Sequence, residues 1–153
     1  MTITSASKKR NQYKSASTRF ISNLPTRSYC TNDFAAGLLI RRKKDAIRYE
    51  YIQLNRKLRF YLPFDIDREG AAFAHEDAGL PAPTIIIINR ENAHAHLLYE
   101  LKSPVAFKDY NGNGKARYAP IRYYEALMRG MAERLDADRS YSQLICKNPR
   151  HKR

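Results

Sequence analysis

The sequence predicts an α+β fold: a β-α-β-β-α-β core of ferredoxin-like type over residues 58–149, behind a small irregular N-terminal module at residues 20–57. Three observations lead there. The chain has 153 residues, 43% of them hydrophobic, which suits one domain built on one core. Residues 58–67 and 84–99 hold short runs of apolar, β-branched and aromatic residues bounded by Gly, Pro and Asn. Residues 120–135 repeat apolar side chains at helical spacing.

Residues 1–19, MTITSASKKRNQYKSASTR, are rich in Ser, Lys and Arg, contain no acid and lack a secretory apolar stretch. They read as a disordered basic arm. Phe20, Ile21 and Leu24, then Phe34, Leu38, Leu39 and Ile40, alternate with the turn residues Pro25 and Gly37 and make up the N-terminal module. Within it, Arg41-Arg42-Lys43-Lys44 precedes Tyr49 and Tyr51, mixing cations with rings on which bases can stack.

Leu58 to Asp67 reads as a strand. Gly70 opens a short helix through Ala71–Ala74 that stops near Gly79 and Pro81. Thr84 to Ile88 is a β-branched strand, and Asn89–Asn92 turns into a second one, with His94, His96 and Leu98 on one face and Ala95, Leu97 and Tyr99 on the other. Asn111–Gly114 is a loop. Pro120 starts a helix whose Ile121, Tyr124, Leu127, Met128, Met131 and Leu135 share a face. Tyr141 to Cys146 closes the core as a strand, and residues 150–153 form a basic tail. This order is the split β-α-β of ferredoxin-like and RNA-recognition-motif folds. Its first and third strands lie side by side, with the fourth beside the first. Asp65 and Asp67 then adjoin the strand bearing His94 and His96, and Asp138 reaches the same end.

The formal charge of +13 attracts polyanions, nucleic acid first. It is unevenly placed: residues 1–59 carry 14 basic and 3 acidic residues, residues 60–138 carry 9 and 12, and residues 139–153 carry 5 and 0. An acid-leaning middle between basic ends suits a nucleic-acid enzyme that holds divalent metal better than a uniformly basic binder. No apolar run approaches the ~20 residues of a membrane span. Cys30 and Cys146 form no C-x-x-C pair, which argues against a zinc ribbon or a disulfide framework and for a reducing cytoplasm.

Asp65 and Asp67, two apart at a strand end, present their carboxylates on one face, where a divalent cation relieves their repulsion. His94 and His96 likewise share a face, and an imidazole there can donate to a phosphate oxygen or ligate a metal. Lys147 and Arg150 follow the last strand as phosphate clamps. Two alternatives use the same residues. The His94-Ala95-His96 pattern, with Tyr123 or Tyr124 as nucleophile, also fits a rolling-circle nicking endonuclease, and a catalytically silent nucleic-acid-binding module needs the cations alone.

The blocks RFISNLP (19–25), YIQLN (51–55), FDIDREGAA (64–72), DAGLPAPT (77–84), INRENAHAHLLYEL (88–101) and LICKNPRH (144–151) resemble the replication initiator primases of colicin-type theta-replicating plasmids, a branch of the archaeo-eukaryotic primase superfamily. The resemblance covers nearly everything after the arm. It implies an RRM-like catalytic sheet that synthesises a short RNA primer from nucleoside triphosphates on a DNA template. It also implies Mg²⁺ or Mn²⁺ held by Asp65, Asp67 and Asp138 in a two-metal reaction, His96 ahead of His94 as the nucleotide-binding histidine, and Lys147 as the basic residue after the final strand. Arg41, Arg42, Lys43, Lys44 and Arg150 remain as nucleic-acid contacts. Such initiators usually extend into a C-terminal origin-recognition region, so origin binding is not implied for this chain. Ala93 and Gln143 stand where the family has Gly.

Overall fold

The computed structural model describes residues 14–107, 116–141 and 144–151. In chain order its elements are α1 (Ala16–Asn23), β1 (Arg27–Thr31), β2 (Leu39–Arg42), α2 (Lys43–Ala46), β3 (Tyr51–Gln53), β4 (Leu58–Ile66), α3 (Ala74–Asp77), β5 (Ile85–Ile88), β6 (Ala95–Ala106), α4 (Tyr118–Leu135) and β7 (Ile145–Lys147). Helices and antiparallel strands mix, and the fold is α+β.

The basic arm lies outside the described residues up to Tyr13, and its last residues are helical instead. Ser15 caps α1 by accepting the Thr18 N–H, and Phe20 is fully buried with its ring 6.1 Å from that of Tyr61. One turn of helix is thereby anchored inside a segment whose composition alone reads as disordered. The Asn111–Gly114 loop and Gln143 fall outside the described residues. The expected helix after Gly70 is a 3₁₀ turn, Ala71–Phe73, followed by the single turn α3.

Two sheets form, with strand orders β2-β1-β3-β7 and β4-β6-β5. The second reproduces the expected first, third and second strands. The last strand departs from expectation: it pairs with β3 rather than β4, matching Tyr51 to Lys147, Ile52 to Cys146 and Gln53 to Ile145. Burial accounts for the exchange. Beside β3, Leu144 and Cys146 enter a core made by Phe20, Cys30, Ile52, Tyr61 and Leu98, and the Leu54 N–H donates to the Leu144 carbonyl at 2.8 Å. The N-terminal segment thus supplies both the strand edge and the apolar cover.

Period-2 alternation in β4 and β6 divides the second sheet into two faces. Leu62, Phe64 and Ile66 with Ala95, Leu97 and Tyr99 pack against Tyr124, Met128, Met131 and Leu135 of α4, the predicted apolar stripe. The opposite face is apolar at Tyr61 and Leu98, where the N-terminal segment covers it, and polar at Asp65 and His96.

Candidate functional site

The register of β4 on β6 sets Asp65 directly across from His96 and Ile66 across from Ala95, so each acid of the D-x-D pair meets a histidine. Asp65 Oδ1 lies 3.5 Å from His96 Nε2, and Asp67 Oδ1 lies 3.3 Å from His94 Nδ1. β6 begins at Ala95, which leaves His94 at the mouth of the hairpin rather than inside the strand.

Asp138 arrives from α4. That helix ends at Asp136, whose φ of 51° is left-handed; Ala137 is then buried, and the Asp138 N–H donates to the Asp65 carbonyl at 2.8 Å. The Ser140 N–H and hydroxyl both donate to the Asp138 carboxylate at 2.8 Å, which aims it. Asp65, Asp67 and Asp138 each offer one oxygen within 4.8 Å of the others.

Burial, with the charges of Asp67 and Asp138, raises the Asp65 pKa from its ordinary 3.8 to about 6, although His94 opposes the shift. Burial lowers His96 to about 4; Asp67 counteracts this and Lys147 adds to it. Near neutral pH the Asp65–His96 contact therefore joins a carboxylate to a neutral imidazole. Three carboxylates crowded together form a hard-oxygen donor set, the kind that Mg²⁺ or Mn²⁺ takes. The Asp67 side chain is 60% exposed, so solvent reaches the cluster.

Asp65, Asp67, His94 and His96 open into a cleft of about 460 Å³, whereas Asp138 lines an adjoining hollow that shares Tyr141 with it. The walls of the cleft are Asp65, Asp67, His94, His96, Asn89 and Asn92 from the second sheet and its hairpin, Tyr51 and Lys147 from the first sheet, Phe34 and Leu38 from the β1–β2 connection, and Tyr141 from the segment before β7. Lys147 Nζ pairs with Glu50 Oε1 at 3.3 Å. The Tyr141 ring meets His96 edge-on at 5.6 Å, and its hydroxyl donates to the Ile145 carbonyl at 2.7 Å.

Of the residues singled out from sequence, Asp65, Asp67, Asp138, His94, His96 and Lys147 come together. The basic cluster does not line the cleft. Arg41, Arg42 and Lys44 are exposed around β2 and α2, and Lys43 Nζ instead donates to the Ser22 carbonyl at the end of α1. Arg150 is exposed beside α1, 3.3 Å from Ser17 Oγ. Tyr124 is buried with its hydroxyl donating to the Tyr61 carbonyl, which leaves Tyr123 as the exposed tyrosine of the pair. Sequence reasoning missed Phe34, Leu38 and Tyr141. Tyr141 had a usable signal, an aromatic three residues after Asp138, whereas nothing local distinguishes Phe34 from an ordinary core residue.

The Replicase family model matches residues 23–153, a span that holds the whole acid cluster and both histidines. The chain belongs to the Replicase family. As a Replicase-family member it is a replication-associated protein. Neither a curated protein nor a solved structure matches it. Among the described residues, no helix of this Replicase-family protein is long and apolar enough to cross a membrane.

Proposed function

We propose that this replication protein is a primase, joining nucleoside triphosphates into a short RNA on a DNA template. The observation that carries the reading is the convergence of Asp65, Asp67 and Asp138, from two separate parts of the chain, to within 4.8 Å of one another, with Asp65 and Asp67 facing the cleft that also holds His96. In the proposed reaction a 3′-hydroxyl attacks the α-phosphorus of the incoming nucleotide, an O–P bond forms, and pyrophosphate leaves. Asp65, Asp67 and Asp138 would hold a divalent cation, which would lower the pKa of the attacking hydroxyl so that its proton passes to solvent, and would neutralise charge on the phosphates.

The chain's own side chains do the rest. His96, neutral near pH 7, has a single N–H; with Nδ1 buried it is Nε2 that offers it to a phosphate oxygen, without adding a cation that competes with metal for the acids. The Tyr141 edge contact and the Asp65 contact orient its ring. Lys147, steadied by Glu50, brings positive charge for the triphosphate. The exposed Arg41, Arg42, Lys44 and Arg150 supply charge for template phosphates, so DNA affinity falls steeply with salt. The buried Tyr124 hydroxyl speaks against its service as a nicking nucleophile.

The test is incorporation of labelled nucleotides on unprimed single-stranded DNA with Mg²⁺ or Mn²⁺. Wild type is expected to make short products. Asp65→Asn combined with Asp67→Asn is expected to keep DNA affinity and lose them. Absence of product from wild type with either metal, or undiminished product from the double variant, overturns the proposal. A phosphotyrosyl adduct on DNA would transfer the assignment to nicking.

A further inference from the structure

The primase reading leaves one wall of the cleft unused. Phe34, Leu38 and Tyr51 line it together with Asp65 and His96, yet the Phe34 and Leu38 side chains carry no atom that can hold metal or phosphate. Phe34 is 55% exposed and Leu38 is 44% exposed, an unusual pairing of large apolar side chains around a polar site. The phenyl ring is not loosely displayed. It opens a 3₁₀ turn, Phe34–Ala36, in which the Asp33 carboxylate accepts the Ala35 N–H at 2.9 Å. Thr31 Oγ1 holds Asp33 in turn, donating to its carbonyl at 2.7 Å and accepting its N–H at 3.0 Å. The ring then leans on Tyr51, with centroids 4.7 Å apart at 58°. Lys147 also approaches Tyr51, its Nζ 5.9 Å from the ring centroid. Rings, a cation and carboxylates thus share one cleft.

We infer that Phe34, backed by Tyr51 and Leu38, is the stacking wall for the base of the incoming nucleoside triphosphate, whose phosphates face Lys147, His96 and the acids. This rests on the nucleotidyl-transfer reading above. A nucleoside triphosphate is an apolar disc joined to a polyanion, and the cleft presents complements to both. Stacking tolerates any base, because every base has a π face. The wall therefore raises affinity for all nucleotides rather than selecting one.

The chain contains no tryptophan, so Phe34→Trp provides a single fluorescent reporter at the wall. ATP and GTP are expected to quench it in the presence of Mg²⁺. Tripolyphosphate is expected to displace a labelled nucleotide without quenching. In primer synthesis Phe34→Ala is expected to raise KM for nucleotide about tenfold or more, with kcat little changed and the melting temperature near wild type, and Phe34→Tyr to restore KM. Unchanged KM in Phe34→Ala overturns the wall, as does quenching by tripolyphosphate equal to that by ATP. Quenching by single-stranded DNA but not by nucleotide also overturns it, by giving the wall to template. In all three cases the primase reading survives if product still forms. Failure of wild type to bind either ATP or tripolyphosphate would remove both inferences together.

Discussion

Asp138 and Asp65 are joined through the backbone, the amide of one donating to the carbonyl of the other at 2.8 Å. That bond lets a residue 73 positions downstream complete a carboxylate cluster begun by β4. It depends on no side chain, so the acids can be neutralised one at a time while the segment stays in place.

Cation binding should therefore appear as stabilisation. Mg²⁺ or Mn²⁺ at a hundredfold excess over Kd is expected to add about 2.7 kcal/mol, which thermal melts across a metal titration will register. Asp138→Asn and Asp67→Asn should each weaken that shift severalfold. If both variants kept the full wild-type response, the cluster would not be the cation site.

The pair Asp65 and His96 imposes opposite pH dependences on the metal-free protein. The folded Asp65 pKa of about 6 exceeds its ordinary 3.8, so its contribution to stability is fully present below that value and is lost as pH rises toward 6. The folded His96 pKa of about 4 lies under its ordinary 6.5, so its contribution is present above 6.5 and is lost as pH falls toward 4. In wild type the two trends largely offset each other across that window. In chelator, Asp65→Asn is expected to gain about 1 kcal/mol as pH rises through it, and His96→Gln to lose about as much, after allowance for solvent screening. Urea denaturation at stepped pH measures both, and parallel profiles in the two variants would contradict the assignment.

Arg19 clasps Glu100 with Nε at 3.0 and 2.8 Å and Nη2 at 2.7 Å, with the side chains only 22% and 16% exposed. This fork fastens α1 to β6. Arg19→Ala strands a mostly buried carboxylate and should cost about 2–3 kcal/mol, whereas Arg19→Lys keeps the charge, loses the fork and should cost about 1 kcal/mol. Equal urea midpoints for the two variants would show that the fork geometry contributes nothing.

Ala93 sits at φ 59° in the β5–β6 turn, where its N–H donates to the Asn89 carbonyl at 2.8 Å. The methyl group is a steric burden there. Ala93→Gly is expected to raise stability by up to about 1 kcal/mol, net of the added freedom of the unfolded chain. A lower melting temperature would mean that this freedom outweighs the relief. Glycine is also the residue that the primase resemblance places at this position.

Much of the site was legible because it lies on regular strands or directly at their ends. Spacings of two put Asp65 with Asp67 and His94 with His96, and the turn at Asn89–Asn92 led to the β5–β6 hairpin. The α4 stripe was legible for the same reason, since period and burial coincide over five turns. The start of α1 was not, because one capping serine and one buried phenylalanine outweigh a composition that otherwise suggests disorder.

Local pattern by itself determined that β4, β5 and β6 are strands and α4 a helix, which of their faces are apolar, and which acids and histidines are near neighbours along the chain, but not the strands within residues 20–57. The tertiary structure alone decided that β7 joins β3, that Lys43 is spent on the end of α1, and that Phe34 and Tyr51 look onto the acids. The physical reason is the length of the elements concerned. A three-residue strand or a single 3₁₀ turn carries too little periodicity to specify a partner, so its place follows from whichever open edge and uncovered apolar surface the rest of the chain provides.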